Sequence, residues 1–260
     1  MGNEKREAEG KVALEALGVR KVYRKDGREM PVLDVERFVA REGEFITLIG
    51  PSGCGKSTFL HIMGGFIPAD AGTIRVYGNA VNGPGPDRGM VFQEFALFPW
   101  KTVAGNVAWG LEAQGFPRDE IDDTVRAYLE LMDLAHFRDH YPAEISGGMK
   151  QRVALARVLA FNPKVLLMDE PFGALDAQTR KTMQEEVTRI WERTRKTIVF
   201  VTHDIEEAVF LGDRVVVLSA RPGRIREEVR IDLPRPRTLE IKKSVQCHEY
   251  RNHIWDLIRA

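Results

Sequence analysis

Apolar and polar positions alternate near the start of the chain, with Val12, Leu14 and Ala16 forming one set and Leu33 and Val35 another. That period of two predicts half-buried strands. The run Phe45-Ile46-Thr47-Leu48-Ile49 is almost wholly apolar, as a strand covered on both faces would be. Thr73-Ile74-Arg75-Val76-Tyr77 alternates again and stops at the turn signal Gly78-Asn79. A β-rich lobe is expected around these strands. The middle of the chain changes period. Ile121, Val125, Leu129 and Met132 recur at helical spacing, with Pro117 and Asp119 near the start, and a second helix-like run lies between Val153 and Ala160. Residues 96–160 therefore read as an inserted helical lobe.

Beyond it, short apolar runs at Val165, Ile198 and Val215 alternate with a helical stripe of Met183, Val187, Ile190 and Trp191. Strand–helix–strand order favours a parallel sheet covered by helices. Arg221-Pro222-Gly223 predicts a hairpin turn into an alternating stretch from Ile225 to Ile231. From Leu233 the chain is rich in Pro and Arg and then helical to its end, where Ile241, Val245, Ile254 and Ile258 are expected to share one packed face. Residues 1–10 are charged, without the apolar stretch of a secretory signal, and read as a solvated tail.

Composition narrows the class. Of 260 residues, 43% are hydrophobic and 29% charged, which fits a globular protein with a core of ordinary size. Lys+Arg and Asp+Glu both number 38, so no basic excess points to nucleic acid. The two cysteines, Cys54 and Cys247, are too few for a disulfide framework and fit a reducing compartment. No apolar run approaches the roughly 18 residues a membrane span needs.

Candidate chemistry begins right after the Phe45 strand. Gly50-Pro51-Ser52-Gly53-Cys54-Gly55-Lys56-Ser57-Thr58 carries every fixed position of a phosphate-binding loop, and Phe59, Leu60, Ile62 and Met63 follow as a packed helix would. A strand turning through glycines into a helix aims backbone N–H groups and the positive helix end at one point, which suits a polyphosphate. Gly50, Gly53 and Gly55 leave room for a close anion. Lys56 can reach the β- and γ-phosphates, and Ser57 can ligate Mg²⁺. Cys54 occupies a variable position and is assigned no chemistry. Leu166-Leu167-Met168-Asp169-Glu170 is a second apolar strand, ending in two acids. Asp169 suits Mg²⁺ held through water, and Glu170 suits polarisation of a water for in-line attack. Ser146-Gly147-Gly148-Met149-Lys150-Gln151-Arg152 precedes the Val153 helix and offers a second anion-binding helix start.

This last stretch resembles the signature of ABC-type ATPases, and the resemblance runs from about Val12 to Leu233. It implies an α/β fold: a P-loop NTPase (RecA-like) core with an N-terminal antiparallel β subdomain and an inserted α-helical subdomain. The implied ATPase domain spans 11–235, with core 11–95 and 161–235 and helical subdomain 96–160; a short helical extension follows at 236–260. The implied cofactors are ATP and Mg²⁺. Within Val91-Phe92-Gln93, Gln93 is similar to the glutamine that senses Mg²⁺ and the attacking water. Asp176 is similar to the aspartate that crosses a dimer interface, His203 to the switch histidine at the γ-phosphate, and Tyr23 to the aromatic stacked on adenine. The resemblance also implies a head-to-tail dimer, in which Ser146, Gly147 and Gly148 complete the partner's ATP site. His136, His140 and His253 read as surface residues.

Within the family the chain resembles the nitrate/sulfonate/taurine group of importer ATPases, over residues 91–100, 146–152, 167–180 and 201–211 and in Leu233-Pro234-Arg235-Pro236-Arg237. That implies a peripheral subunit at the cytoplasmic face of the inner membrane, bound to integral-membrane permease subunits and served indirectly by a substrate-binding protein. The implied cargo is a small solute such as nitrate, sulfonate, taurine or bicarbonate. Phe98, Pro99 and Trp100 either line a groove for the permease or pack the helical lobe. Lys101 and Ile145 depart from the group's usual apolar residue and leucine, respectively. A soluble ABC ATPase that remodels protein or nucleic acid, or an exporter motor, is the alternative. A P-loop kinase or GTPase leaves Ser146 and His203 without a role.

Overall fold

The computed structural model describes residues 10–259; the charged tail predicted over 1–10 lies outside them except for Gly10. Strands β1 (Val12–Lys25) and β2 (Arg28–Arg41) form a long antiparallel hairpin. Its turn residues Asp26 and Gly27 both have positive φ (51° and 73°), as tight hairpin turns between right-twisted strands require. After β3 (Phe45–Ile49) come α1 (Lys56–Gly64), β4 (Ala71–Val76), the short β5 (Asn79–Ala80) and β6 (Arg88–Val91). The order β2-β1-β4-β5 makes one antiparallel sheet, as the alternating N-terminal pattern predicts.

Three helices then pack together: α2 (Val103–Ala113), α3 (Arg118–Leu131) and α4 (Gly147–Ala160). Their starts are visible as caps. Thr102 Oγ1 accepts from Gly105 N at 3.1 Å, and Ser146 Oγ accepts from Met149 N at 3.3 Å. Helix α4 thus begins at Gly147, earlier than the apolar run from Val153 suggests, because the serine cap offsets the cost of two helical glycines.

The chain returns through β7 (Val165–Asp169), α5 (Ala177–Thr194), β8 (Thr197–Val201), α6 (Ile205–Leu211), β9 (Arg214–Leu218) and β10 (Ile225–Arg230). The second sheet runs β10-β9-β3-β8-β7-β6, parallel except for β10 at the edge. Every residue of β3, β7 and β8 is buried, so their near-continuous apolar sequence is the expected one for strands covered on both faces. One core lies between this sheet and the helical lobe, around Val107, Leu159, Trp191 and Phe200; another lies between the two sheets, around Phe38, Phe59 and Leu167.

The C-terminal segment differs from expectation in one respect. Ile241 belongs to a 3₁₀ turn (Leu239–Lys243), and Val245 is 74% exposed. Helix α7 (Val245–Arg259) starts only after Ser244, which places Val245 on its outer side. The packed face is instead Cys247, Tyr250, Ile254, Leu257 and Ile258, at helical spacing, set against Val209, Val217 and Val229. Ile254 and Ile258 fall on the predicted face, and Ile241 packs against the same cluster from the 3₁₀ turn, so only Val245 points away.

Candidate active site

The parallel sheet brings the candidate residues to one edge because β3, β7 and β8 are neighbours and all end there. β3 runs out at Ile49 into the glycine loop. Gly50 is tolerated only without a side chain, since a Cβ there would meet Leu218 O at 2.7 Å and Cys54 Sγ at 3.0 Å. Gly55 takes φ 100° and caps α1, and its Cβ would meet Val32 O at 2.9 Å. The helix then starts at Lys56 with no side-chain cap, leaving first-turn N–H groups for a ligand. Lys56 is 6% exposed, and its ammonium donates to Gly50 O at 2.9 Å and Pro51 O at 3.2 Å, inside the curve of the loop. Cys54 faces inward at 1% exposure, and burial pushes its thiol pKa up, so it is neutral and unreactive there.

β7 delivers the two acids. Ser57 Oγ donates to Asp169 Oδ1 at 2.8 Å, and His61 Nε2 lies 3.3 Å from Asp169 Oδ2. Glu170 leaves the strand with φ 42°, a left-handed conformation that a glutamate holds only when its surroundings enforce it. Its N–H donates to Val201 O at 3.0 Å, which fixes it beside the end of β8. There His203, with its side chain 64% exposed, places Nδ1 2.9 Å from Glu170 Oε2.

A cavity of about 550 Å³ is lined by Tyr23, Met30, Val32, Ser52, Gly53, Gly55, Lys56, Ser57, Thr58, Glu170, His203 and Arg221. That volume is in the range of small-molecule and cofactor sites. Glycine-loop residues, the acid Glu170, His203 and Tyr23 thus meet around one space. Met30, Val32 and Arg221 were not anticipated. The turn at Arg221 is legible in sequence, but its approach to the loop is not: Arg221 Nε donates to Gly53 O at 2.6 Å across a separation of 168 residues.

Other candidates stand apart. Gln93 is exposed, with Nε2 3.7 Å from the position a Cβ on Gly173 would take. Ser146 and Gly147 are exposed at the start of α4. Asp176 is exposed and caps α5, accepting from Gln178 N and Thr179 N at 3.0 Å each and from Thr179 Oγ1 at 2.7 Å. Those hydrogen bonds hold its carboxyl below the usual range. None of Gln93, Ser146, Gly147, Gly148 or Asp176 lines the cavity.

The donor set tests the implied groups. Positive-φ glycines, an open helix start and a buried ammonium fit a polyphosphate. A serine hydroxyl against a carboxylate, both hard oxygen donors, fits Mg²⁺, which keeps waters and phosphate oxygens as its other ligands.

A profile of the ABC transporter family matches residues 33–173. The nitrate import ATP-binding protein of Synechocystis sp. is 52% identical over 224 residues, covering 84% of this chain and 84% of that protein. The taurine import ATP-binding protein of Rhizobium johnstonii is 48% identical over 240 residues, covering 90% and 91%. A solved dimeric ATP-binding cassette, in a post-hydrolysis state bound to ADP and Pi, matches with a TM-score of 0.74 at 31% identity, over 85% of this chain and all of that one. The fold is a P-loop nucleotide-hydrolase core with an added β sheet and helical lobe. The chain belongs to the ATP-binding subunits of the ABC transporters and, as they are, is an ATPase coupled to transport. Among the described residues no helix is long and apolar enough to cross a membrane.

Proposed function

We propose that this chain is the ATP-hydrolysing subunit of an importer that drives uptake of a small solute, of the nitrate, sulfonate, taurine or bicarbonate kind, through a separate permease. The importer reading is carried by relatives 45–52% identical that are nitrate, sulfonate and taurine import ATP-binding proteins, and the dimeric mechanism by the division of the site. Lys56, Glu170 and His203 share one cavity, whereas Ser146 and Gly147 stand exposed outside it. A second copy, packed head to tail, would lay its Ser146, Gly147, Gly148 and Asp176 over the nucleotide. Two-fold symmetry then makes two such sites.

Each residue has a task in that arrangement. Gly50, Pro51, Ser52, Gly53, Cys54, Gly55 and Thr58 shape the loop whose N–H groups receive the phosphates. Lys56 turns its ammonium to the β- and γ-phosphate oxygens. Tyr23, on the cavity rim, stacks on adenine. Ser57, Asp169 and Gln93 would hold Mg²⁺, which would neutralise charge on the phosphate oxygens. Glu170 accepts the proton of the attacking water, and His203 holds the Glu170 carboxylate and the γ-phosphate in register. Closure with ATP and release after hydrolysis supply the mechanical stroke.

The ATPase domain spans 11–235, and the segment 236–260 is an added extension. The subunit sits at the cytoplasmic face of the membrane on its permease, and an external binding protein selects the solute. The test is capture of tagged Glu170→Gln protein with ATP from native membranes. A multi-span permease, with its binding protein, is the expected companion. Recovery of soluble proteins or nucleic acid alone would overturn the importer reading.

A further inference from the structure

The loop that carries His203 is tied down by groups that hydrolysis itself does not use. The Thr202 hydroxyl donates to Glu207 Oε2 and accepts from Asp204 N at 3.0 Å. Glu207 N in turn donates to Asp204 Oδ1 at 3.1 Å. Both chain neighbours of His203 are therefore fastened to the first turn of α6. The remaining oxygen of Glu207, Oε1, accepts from Gln184 Nε2 on α5 at 2.9 Å. Gln184 Oε1 accepts from Lys242 Nζ, in the C-terminal 3₁₀ turn, at 2.7 Å. Lys242 is also 3.2 Å from Glu206 Oε1 and lies 4.7 Å over the Phe210 ring.

This chain of contacts is buried. Thr202, Gln184 and Glu207 are 2%, 3% and 4% exposed, and the Lys242 side chain is 11% exposed. A carboxylate so placed is costly unless each oxygen is bonded and a cation stands near. Here the cation acts at one remove. An ammonium on the amide oxygen polarises Gln184, which makes its N–H the stronger donor to Glu207. An apolar trio of the same shape would fill the space at no such cost, so the polar one is best explained by the geometry it imposes. Asp176 caps the start of α5, so the network joins the C-terminal extension, the helix that Asp176 caps and the histidine loop.

We infer that Lys242, Gln184 and Glu207 form a positioning relay for His203. Lys242 orients the Gln184 amide, the amide orients the Glu207 carboxylate, and the carboxylate holds the Thr202 hydroxyl, which in turn holds Asp204 N, so that His203 Nδ1 stays against Glu170 Oε2. The extension beyond residue 236 is then a working part of the motor, and displacing Lys242 slows hydrolysis without releasing nucleotide. The inference rests on the reading of Glu170 and His203 as the hydrolytic pair.

Steady-state hydrolysis of Mg-ATP by the full chain tests it. Lys242→Met keeps the stem and removes the charge; it should lower kcat about tenfold with KM within about twofold. Lys242→Arg should restore most of that loss. Glu207→Gln, which keeps shape, should show the same split. In a His203→Ala background, Lys242→Met should have no further effect, because a relay acts only through what it positions. An unchanged kcat in Lys242→Met would overturn the relay. So would an equal further loss in the His203→Ala background, which would make Lys242 a purely structural contact. If His203→Ala hydrolyses ATP at the wild-type rate, the hydrolytic reading fails and takes the relay with it.

Discussion

His203 Nδ1 meets Glu170 Oε2 at 2.9 Å because β7 and β8 run parallel with Asp169 opposite Val201. Each residue lies just past the end of its strand, so the strand register sets their separation. A slip of one residue in either strand would turn that strand's side chain to the wrong face. Glu170→Gln is expected to lower kcat by about a hundredfold or more while ATP affinity stays within about twofold. Single-turnover hydrolysis and equilibrium nucleotide binding check this. An equal loss of binding would show that Glu170 holds nucleotide and does not act on water.

The aromatic patch beside the helical lobe yields a second expectation. The Phe98 ring lies 5.6 Å from that of Trp100 and 5.1 Å from that of Trp109, while Trp100 itself is 72% exposed. Phe98 is thus the packed base of the patch and Trp100 its open face. A large exposed aromatic beside other apolar groups is suited to a partner. Trp100→Ala should reduce co-purification of the permease and leave ATP affinity within about twofold. Loss of ATP binding in that variant would count against a docking role.

Arg237 anchors the extension. Its guanidinium is 4% exposed and donates to the carbonyls of Val209, Phe210, Gly212, Ile231 and Leu233. Three of these lie at the C-terminal end of α6, where carbonyls lack helical partners and a cation is favoured. Burial lowers its pKa to about 10, so it remains charged at neutral pH. Arg237→Met should cost roughly 3 kcal/mol, as removal of one partner from a buried charged network does. A urea midpoint indistinguishable from wild type would refute this.

Glu207 gives the protein a pH signature. Burial raises its pKa above 4.5, against the opposing pull of Thr202 and Gln184. Between the unfolded and folded values, the native state binds the proton that the unfolded chain has released. The contribution of this group is therefore fully present below about 4.5 and is lost as pH rises through the folded pKa. The stability of wild type relative to Glu207→Gln should fall as pH rises over that window. Denaturant midpoints of both proteins at several pH values measure it; a difference flat with pH would show that Glu207 titrates normally.

Much of this was legible in the chain. The apolar runs at Phe45, Val165 and Ile198 gave three central strands, because a strand buried on both faces needs an unbroken apolar sequence. The glycine loop and the acids after Met168 were readable because strand ends place them without long-range information. Tertiary proximity was not. Arg221 reaches Gly53, and His61 reaches Asp169, through the packing of distant segments, and no local pattern encodes either contact. Val245 was placed on the packed face because Ser244 as a helix boundary was not recognised. Cys247 is not marked for that face by apolar spacing alone, because a lone cysteine packs as a small apolar side chain only where burial makes it one. The buried polar trio Thr202, Gln184 and Glu207 is not legible for a related reason: a polar residue in a loop, like Thr202, or on an amphipathic helix, like Gln184 and Glu207, ordinarily reads as solvent-facing.

The most direct test of the account is the mass of Glu170→Gln in solution, by light scattering, with and without ATP. The account predicts a monomer without nucleotide and a dimer with ATP, and it predicts that adding Ser146→Arg abolishes the dimer while each chain still binds ATP. A monomer at saturating ATP, or a dimer indifferent to Ser146→Arg, would contradict the shared site.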